Sequence, residues 1–271
     1  SYFRKMFVNS ITKELFKFTL QLYFYDKYKP EPTASGVLLK LDGKYFLVSA
    51  GHAIEDIHPD QRQNLGVFTS ENDFFKLNGH LVHVPPKASV QNNLVDLAIW
   101  FLDEEVANDL LKKSYNFLDL TKIEIYHDTI QNDFKYLIVG FPAESHFDNY
   151  LTKTTTVSPF IHLAKESSQS MYDTLNKKEY LNIVLDYDKD NLKNMFTDNK
   201  EKGPVLEGIS GGGIWYLSPF STFKLVGIIT EWHKMEKTIV GTQIHLATEI
   251  IRKKFNLNIP PTKKVKLNMN E

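Results

Sequence analysis

The chain has 271 residues, 42% hydrophobic and 24% charged, enough apolar material to bury a sizeable core as one large domain or two small ones. Its 32 basic and 33 acidic side chains leave a formal charge of -1, so no global field draws it to nucleic acid or to an anionic membrane. It contains no cysteine, which excludes disulfides, thiolate nucleophiles and Cys-ligated zinc.

Near the N-terminus the apolar residues are interrupted by Arg4, Lys5, Lys13, Glu14 and Lys17, unlike a signal peptide. No apolar run reaches membrane-spanning length. The expectation is a soluble, cytoplasmic protein, and a start at Ser1 leaves room for a leader or fusion segment ahead of it. After a short helix around Ser10 to Lys17, the alternation from Gln21 to Tyr25 predicts a strand. Pro30 to Ser35 reads as a loop. Gly36 to Leu41 and Lys44 to Ser49 flank Asp42-Gly43, a pair that suits the two-residue type I′ turn of a hairpin. Further strands are predicted at Leu65–Thr69, Asp73–Leu77, His80–Val84 and Leu94–Leu102.

Glu104 to Lys113 carries Val106, Leu110 and Leu111 at helical spacing and is placed to link two halves. Strands resume at Lys122–His127, Phe134–Phe141, Tyr150–Leu163, Tyr180–Tyr187, Ile214–Leu217, Phe223–Thr230 and Thr238–Leu246, and a helix closes the pattern at Ala247–Phe255. The Lys165–Lys178 and Lys189–Gly203 segments are polar and read as surface excursions. So do the only basic runs, Lys253-Lys254 and Lys263 to Lys266. His80-Leu-Val-His83 lacks the i, i+4 spacing and the glutamate of a zinc-binding helix, and no metal is expected.

Three short motifs bear on chemistry. His52 follows an apolar strand in a run of small residues, Ser49-Ala50-Gly51. Alone, such a histidine is more often a satisfied core or surface residue. Asp96 falls inside the apolar run Leu94 to Trp100, where a carboxylate needs donors or a cationic partner. Ser210 sits in Gly208-Ile-Ser-Gly-Gly-Gly213, whose glycines either make a simple turn or aim a hydroxyl and its neighbouring amides at one point. Together they supply a nucleophile, a general base and a carboxylate to orient the base. The order His, Asp, Ser in an all-β chain argues against α/β-hydrolases, in which the acid and the histidine follow the serine.

These motifs resemble the chymotrypsin/trypsin-like serine protease superfamily, and more closely its disulfide-free bacterial members such as glutamyl endopeptidases and HtrA-like protease domains. The family's Thr-Ala-Ala-His is matched by Ser49-Ala50-Gly51-His52, its Asp-(Ile/Leu)-Ala-Leu by Asp96-Leu97-Ala98-Ile99, and its Gly-x-Ser-Gly-Gly by Gly208 to Gly212. The resemblance implies two six-stranded antiparallel β-barrels with a C-terminal helix, in a single peptidase domain over 1–256. Its first barrel would span about 18–115, its second about 120–246, its closing helix 247–255, and a polar tail would run over 257–271. It implies a serine endopeptidase with a His52-Asp96-Ser210 triad and an oxyanion hole made by the Gly208 and Ser210 amides. Pro204, Val205, Thr230, Glu231, Trp232 and Gly241 would line the pocket for the substrate side chain.

The pocket base carries no aspartate, so a small or apolar preference is expected, although Glu207 or Glu231 offers an acidic rim to a basic side chain. Ile209 stands where zymogen-type members have an aspartate, so activation by N-terminal cleavage is not expected. The stretch from Asp96 to Ser210 is long for the family, with the excess assigned to Lys165–Gly203, read as an ornamental loop ahead of a regulatory insert. The resemblance implies no cofactor, a protein or peptide substrate, a regulatory or activating protein partner, and neither nucleic acid nor membrane. Family context points to processing, quality control or activation of a toxic effector in bacterial defence. Two other classes stay open: a trypsin-fold binding module without turnover, and an esterase on the same triad.

Overall fold

A computed structural model describes residues 10–25, 30–55, 57, 62, 64–70, 73–83, 95–129, 135–149, 154–193, 199–217 and 222–265. After helical turns over 10–15, the first half supplies β1 (Thr19–Tyr25), β2 (Pro30–Leu41), β3 (Lys44–Ala50), β4 (Leu65–Ser70), β5 (Asp73–Lys76), β6 (Gly79–His83) and β7 (Leu97–Leu102). They form one antiparallel sheet in the order β5-β4-β1-β2-β3-β7-β6, seven strands where six were expected. The β2–β3 hairpin turns on Asp42 and Gly43 with φ of 49° and 77°, as a type I′ turn requires.

The second half supplies β8 (Lys135–Gly140), the short β9 (His146–Asn149) and β10 (Thr154–Val157), then β11 (Phe160–Lys165) and β12 (Asn182–Asp186). The two-residue β13 (Leu192–Lys193) and β14 (Lys200–Glu201) precede β15 (Gly213–Leu217), β16 (Phe223–His233) and β17 (Thr238–Gln243). Six of these make the antiparallel sheet β11-β8-β15-β16-β17-β12. A bridge between Glu166 and Leu185, with the Ser167 N–H donating to the Val184 carbonyl at 2.9 Å, joins its two edges and curls it. Two curled antiparallel sheets followed by the helix Ile244–Phe255 fit a chymotrypsin-like double-barrel arrangement.

Several sequence expectations differ from what is observed. Pro30–Ser35 is not a loop: β2 begins at Pro30 and pairs with β1 from Tyr25↔Pro30 onward. Prolines are tolerated there because β3 pairs with β2 only from Val37. Asp96 lies just before β7 rather than inside it, since the β3–β7 ladder stops at Ala50↔Leu97. Lys122–His127 is not a strand; a 3₁₀ turn at Leu120–Lys122, capped by Asp119, leads to a single parallel bridge between Ile123 and Leu225. The same connector pairs once with the first sheet, at Leu39↔Leu118, so it spends its hydrogen bonds on both halves in turn. The closing helix starts at Ile244, three residues before the expected Ala247. The predicted strand ends at Val84, Leu94, Phe134 and Tyr150–Lys153, residues 194–198 of the Lys189–Gly203 segment, and the chain from Lys266 on lie outside the described residues.

One apolar cluster runs between the sheets. Val37, Val48 and Ile99 from the first meet Val139, Trp215 and Ile228 from the second, with Ile244, Ala247 and Ile251 of the closing helix against them. Burying each such side chain contributes about 1.5–3 kcal/mol relative to exposure. The described part of the expected polar tail also packs: Leu257 and Ile259 are buried, and the Thr262 N–H donates to Glu249 Oε2 at 3.2 Å. Lys264 Nζ donates to Gln243 Oε1 at 3.1 Å, while Lys254 Nζ donates to the Val82 carbonyl. The basic runs of the sequence are therefore largely engaged within the fold. Among the described residues no helix is long and apolar enough to cross a membrane, and no group of three or more histidines and carboxylates is placed to hold a metal ion.

Buried histidines give the fold an acid sensitivity. His127 and His245 are 5% and 1% exposed, with Nε2 at 2.8 Å from Tyr136 Oη and from the Tyr180 carbonyl respectively. Burial lowers both from 6.5 to about 4. The unfolded chain therefore takes up protons first as pH falls below 6.5, and the stability that the neutral rings contribute above that pH is lost on the way to about 4. Glu249, held low by its hydrogen bond from Arg252, loses its contribution only in the more acidic window below 4.5. Urea midpoints at pH 7.5 and pH 5 check this: the midpoint falls at pH 5, and His127→Phe narrows the difference.

Candidate active site

β3 ends at Ala50, and Gly51 turns the chain into one helical turn, His52–Glu55, by accepting the Ile54 and Glu55 N–H groups at 3.0 and 2.9 Å. That turn swings His52 towards the start of β7. Asp96 then binds the histidine twice: Oδ1 accepts the His52 backbone N–H at 2.8 Å, and Oδ2 lies 2.7 Å from Nδ1. An ionised carboxylate only accepts, so the proton between them sits on Nδ1. The Gly51 N–H adds a third tie, to the Asp96 carbonyl at 3.3 Å. His52 is 43% and Asp96 25% exposed at the side chain, so the imidazole is open to solvent.

Ser210 arrives from the second sheet on a turn that only glycine permits. Gly208 and Gly211 have φ of +88° and +92°. A Cβ on Gly211 would stand 2.0 Å from the Ser35 carbonyl oxygen and 2.3 Å from Ser49 Oγ, both in the first sheet. The turn can therefore press against β2 and β3 only because that side chain is absent. It is pinned by the Ser35 N–H donating to the Ser210 carbonyl at 2.8 Å and the Gly211 N–H donating to the Ile229 carbonyl at 2.7 Å. The Ala143 N–H donates to the Glu207 carbonyl at 2.7 Å, and in a trans peptide the Gly208 N–H then points the other way. Among the described residues no acceptor meets the N–H of Gly208 or of Ser210. Ile209 is buried in the core of the second sheet.

Ser35 is a contributor that the sequence pattern does not flag. Fully buried in β2, it accepts the Phe141 N–H on Oγ at 2.8 Å and the Ser49 hydroxyl on its carbonyl at 2.6 Å, besides clamping Ser210. A small hydroxyl residue before a glycine carries no motif, and only the crossing of the two sheets gives it Phe141, Gly208 and Ser210 as partners.

His52, Asp96, Gly208 and Ser210 line one cleft of about 1160 Å³. The strand β16 also lines it, through Thr230, Glu231 and Trp232. Pro204, Val205 and Gly241 are not on the wall. The Pro204 carbonyl accepts the Tyr187 hydroxyl at 2.9 Å, the Val205 N–H donates to Glu144 Oε1 at 2.8 Å, and a Cβ on Gly241 would meet Ile214 at 2.3 Å inside the sheet. In their place the cleft takes Leu175 to Lys178, from the segment read as a surface excursion. These follow the short helix Gln169–Thr174, which Tyr172 roots in the core. No protein-family model matches the chain and no curated protein matches it, so a functional reading rests on the fold and on the geometry of this cleft.

Proposed function

We propose that the chain is a serine endopeptidase of the chymotrypsin-like type. The observation that carries this reading is the double contact of Asp96 with His52, on the wall of the cleft that also holds Ser210 between two glycines of positive φ. His52 Nε2 takes the proton from Ser210 Oγ as the oxygen attacks the peptide carbonyl, and Asp96 stabilises the imidazolium that forms. The Gly208 and Ser210 amides receive the negative charge that develops on the carbonyl oxygen; such a donor is typically worth a hundredfold or more in rate, about 2.7–4 kcal/mol. The imidazolium then protonates the leaving amine, and water repeats the sequence on the acyl-enzyme.

Substrate placement has support as well. The β15–β16 ladder stops at Gly213↔Ile228, while β17 continues along the other side of β16 to His233. An extended peptide can therefore add to β16 as a further strand facing the cleft. Intact mass after exposure to a fluorophosphonate tests the reading. One adduct on Ser210 is expected, absent in Ser210→Ala and in His52→Ala; a folded wild type that takes up no probe and cleaves no peptide overturns it.

A further inference from the structure

Glu231 and Glu207 are the two carboxylates on the cleft wall that offered an acidic rim, and each already has a lysine. The two pairs differ in kind. Lys234 and Glu207 meet at 2.8 Å with both side chains 59% exposed, a pair that water and salt largely cancel. Lys177 and Glu231 are 19% and 34% exposed, and Lys177 Nζ donates to Glu231 Oε1. The second oxygen of Glu231 is taken too: His233 Nε2 lies 2.7 Å from Oε2. Each oxygen of this carboxylate therefore already has one partner from within the chain.

The ammonium is held in place by more than its partner. The Lys177 N–H donates to the Tyr172 carbonyl at 2.8 Å. Tyr172 is fully buried, its hydroxyl donating to Glu166 Oε1 at 2.6 Å and accepting the Val184 N–H at 3.0 Å. Lys177 thus projects into the cleft from a rooted base, and little further ordering is needed to keep its charge there. A lysine or arginine of a substrate reaching Glu231 would find both oxygens engaged and a like charge beside them. The rest of the wall carries the apolar Leu175, Leu181, Leu206, Trp232 and exposed Met235 alongside polar residues that include Lys178, Glu55 and Glu236.

We propose that Lys177 determines specificity: its ammonium occupies the place on Glu231 that a basic substrate side chain would take, so the cleft accepts uncharged, apolar side chains and turns away lysine and arginine. The inference rests on the endopeptidase reading for its kinetic consequences, though the occlusion of Glu231 is a binding property of the cleft whether or not turnover occurs.

The test compares Lys177→Met and Lys177→Gln, which keep most of the stem without its charge, with wild type and with Lys177→Met/Glu231→Gln. Two fluorogenic peptides differing only in leucine or arginine before the scissile bond report kcat/KM. Benzamidine, titrated calorimetrically into the same set on a Ser210→Ala background, reports cation binding without turnover. Wild type is expected to favour leucine. Either single variant raises the arginine-to-leucine ratio and the benzamidine affinity by about tenfold or more, and Glu231→Gln cancels both gains. Wild type preferring arginine, or single variants that move neither quantity, overturns the inference. If no variant cleaves either peptide, the endopeptidase reading fails while the benzamidine arm still decides the role of Lys177.

Discussion

On the proposed mechanism, Ser210→Ala and His52→Ala are each expected to lower kcat by roughly a millionfold, and combining them is expected to cost no more than either alone, because the two would act as one unit. Loss of Ser210 removes the nucleophile; loss of His52 leaves a hydroxyl that nothing deprotonates. Asp96→Asn is the more discriminating change. Its carboxamide preserves the shape, but an NH₂ facing the ring makes Nδ1 an acceptor and moves the imidazole proton to Nε2, where it blocks the base. About ten-thousandfold is the expected loss in kcat with KM little changed. Steady-state kinetics on one fluorogenic peptide distinguish these cases. An Asp96→Asn variant with near wild-type kcat would remove Asp96 from the proposed mechanism, whatever its contact with His52.

Gly211→Ala is expected to cost about 2–5 kcal/mol of stability and to abolish fluorophosphonate labelling. Two penalties add: a side chain at φ of +92° carries backbone strain of about 1–2 kcal/mol, and forcing extra atoms into a packed site costs about 1–3 kcal/mol more. The clash is with backbone, since the Ser35 carbonyl oxygen would be 2.0 Å from the new carbon. It is relieved only by moving β2 or the turn that carries Ser210. Moving the turn breaks the Ser35–Ser210 hydrogen bond and displaces Ser210; moving β2 disturbs the sheet that positions His52. Thermal unfolding with mass-detected labelling checks both halves, and a drop in melting temperature on the order of 10 °C is expected. A variant that melts and labels like wild type would mean that the turn is not wedged against the first sheet.

What could be read from residues in order, and what could not, divides along a physical line. The turn at Asp42-Gly43 needs φ above zero at two adjacent residues, and the helix at Glu104–Lys112 needs apolar side chains at helical spacing; both are matters between near neighbours. The histidine, aspartate and serine motifs were visible for the same reason, each being a residue set among small or apolar neighbours. Contact between Asp96 and His52 follows from β3 and β7 lying side by side, which period-two patterning allows without specifying.

Other features depend on how the sheets curl and cross. Ser35 becomes a clamp because β2 passes under the Ser210 turn, and Lys177 meets Glu231 because a short helix rooted by Tyr172 ends beside β16. The connector near Ile123 has strand-like composition yet bridges two sheets instead of joining one. By itself the sequence determined the β-rich class, the hairpin stereochemistry and the choice of candidate site residues, since these follow from backbone dihedrals and side-chain chemistry over a few residues. The walls of the cleft, and the pairing of Lys177 with Glu231, were settled by folding in three dimensions: they join residues far apart in the chain, and such contacts come from the placement of whole elements rather than from any local preference.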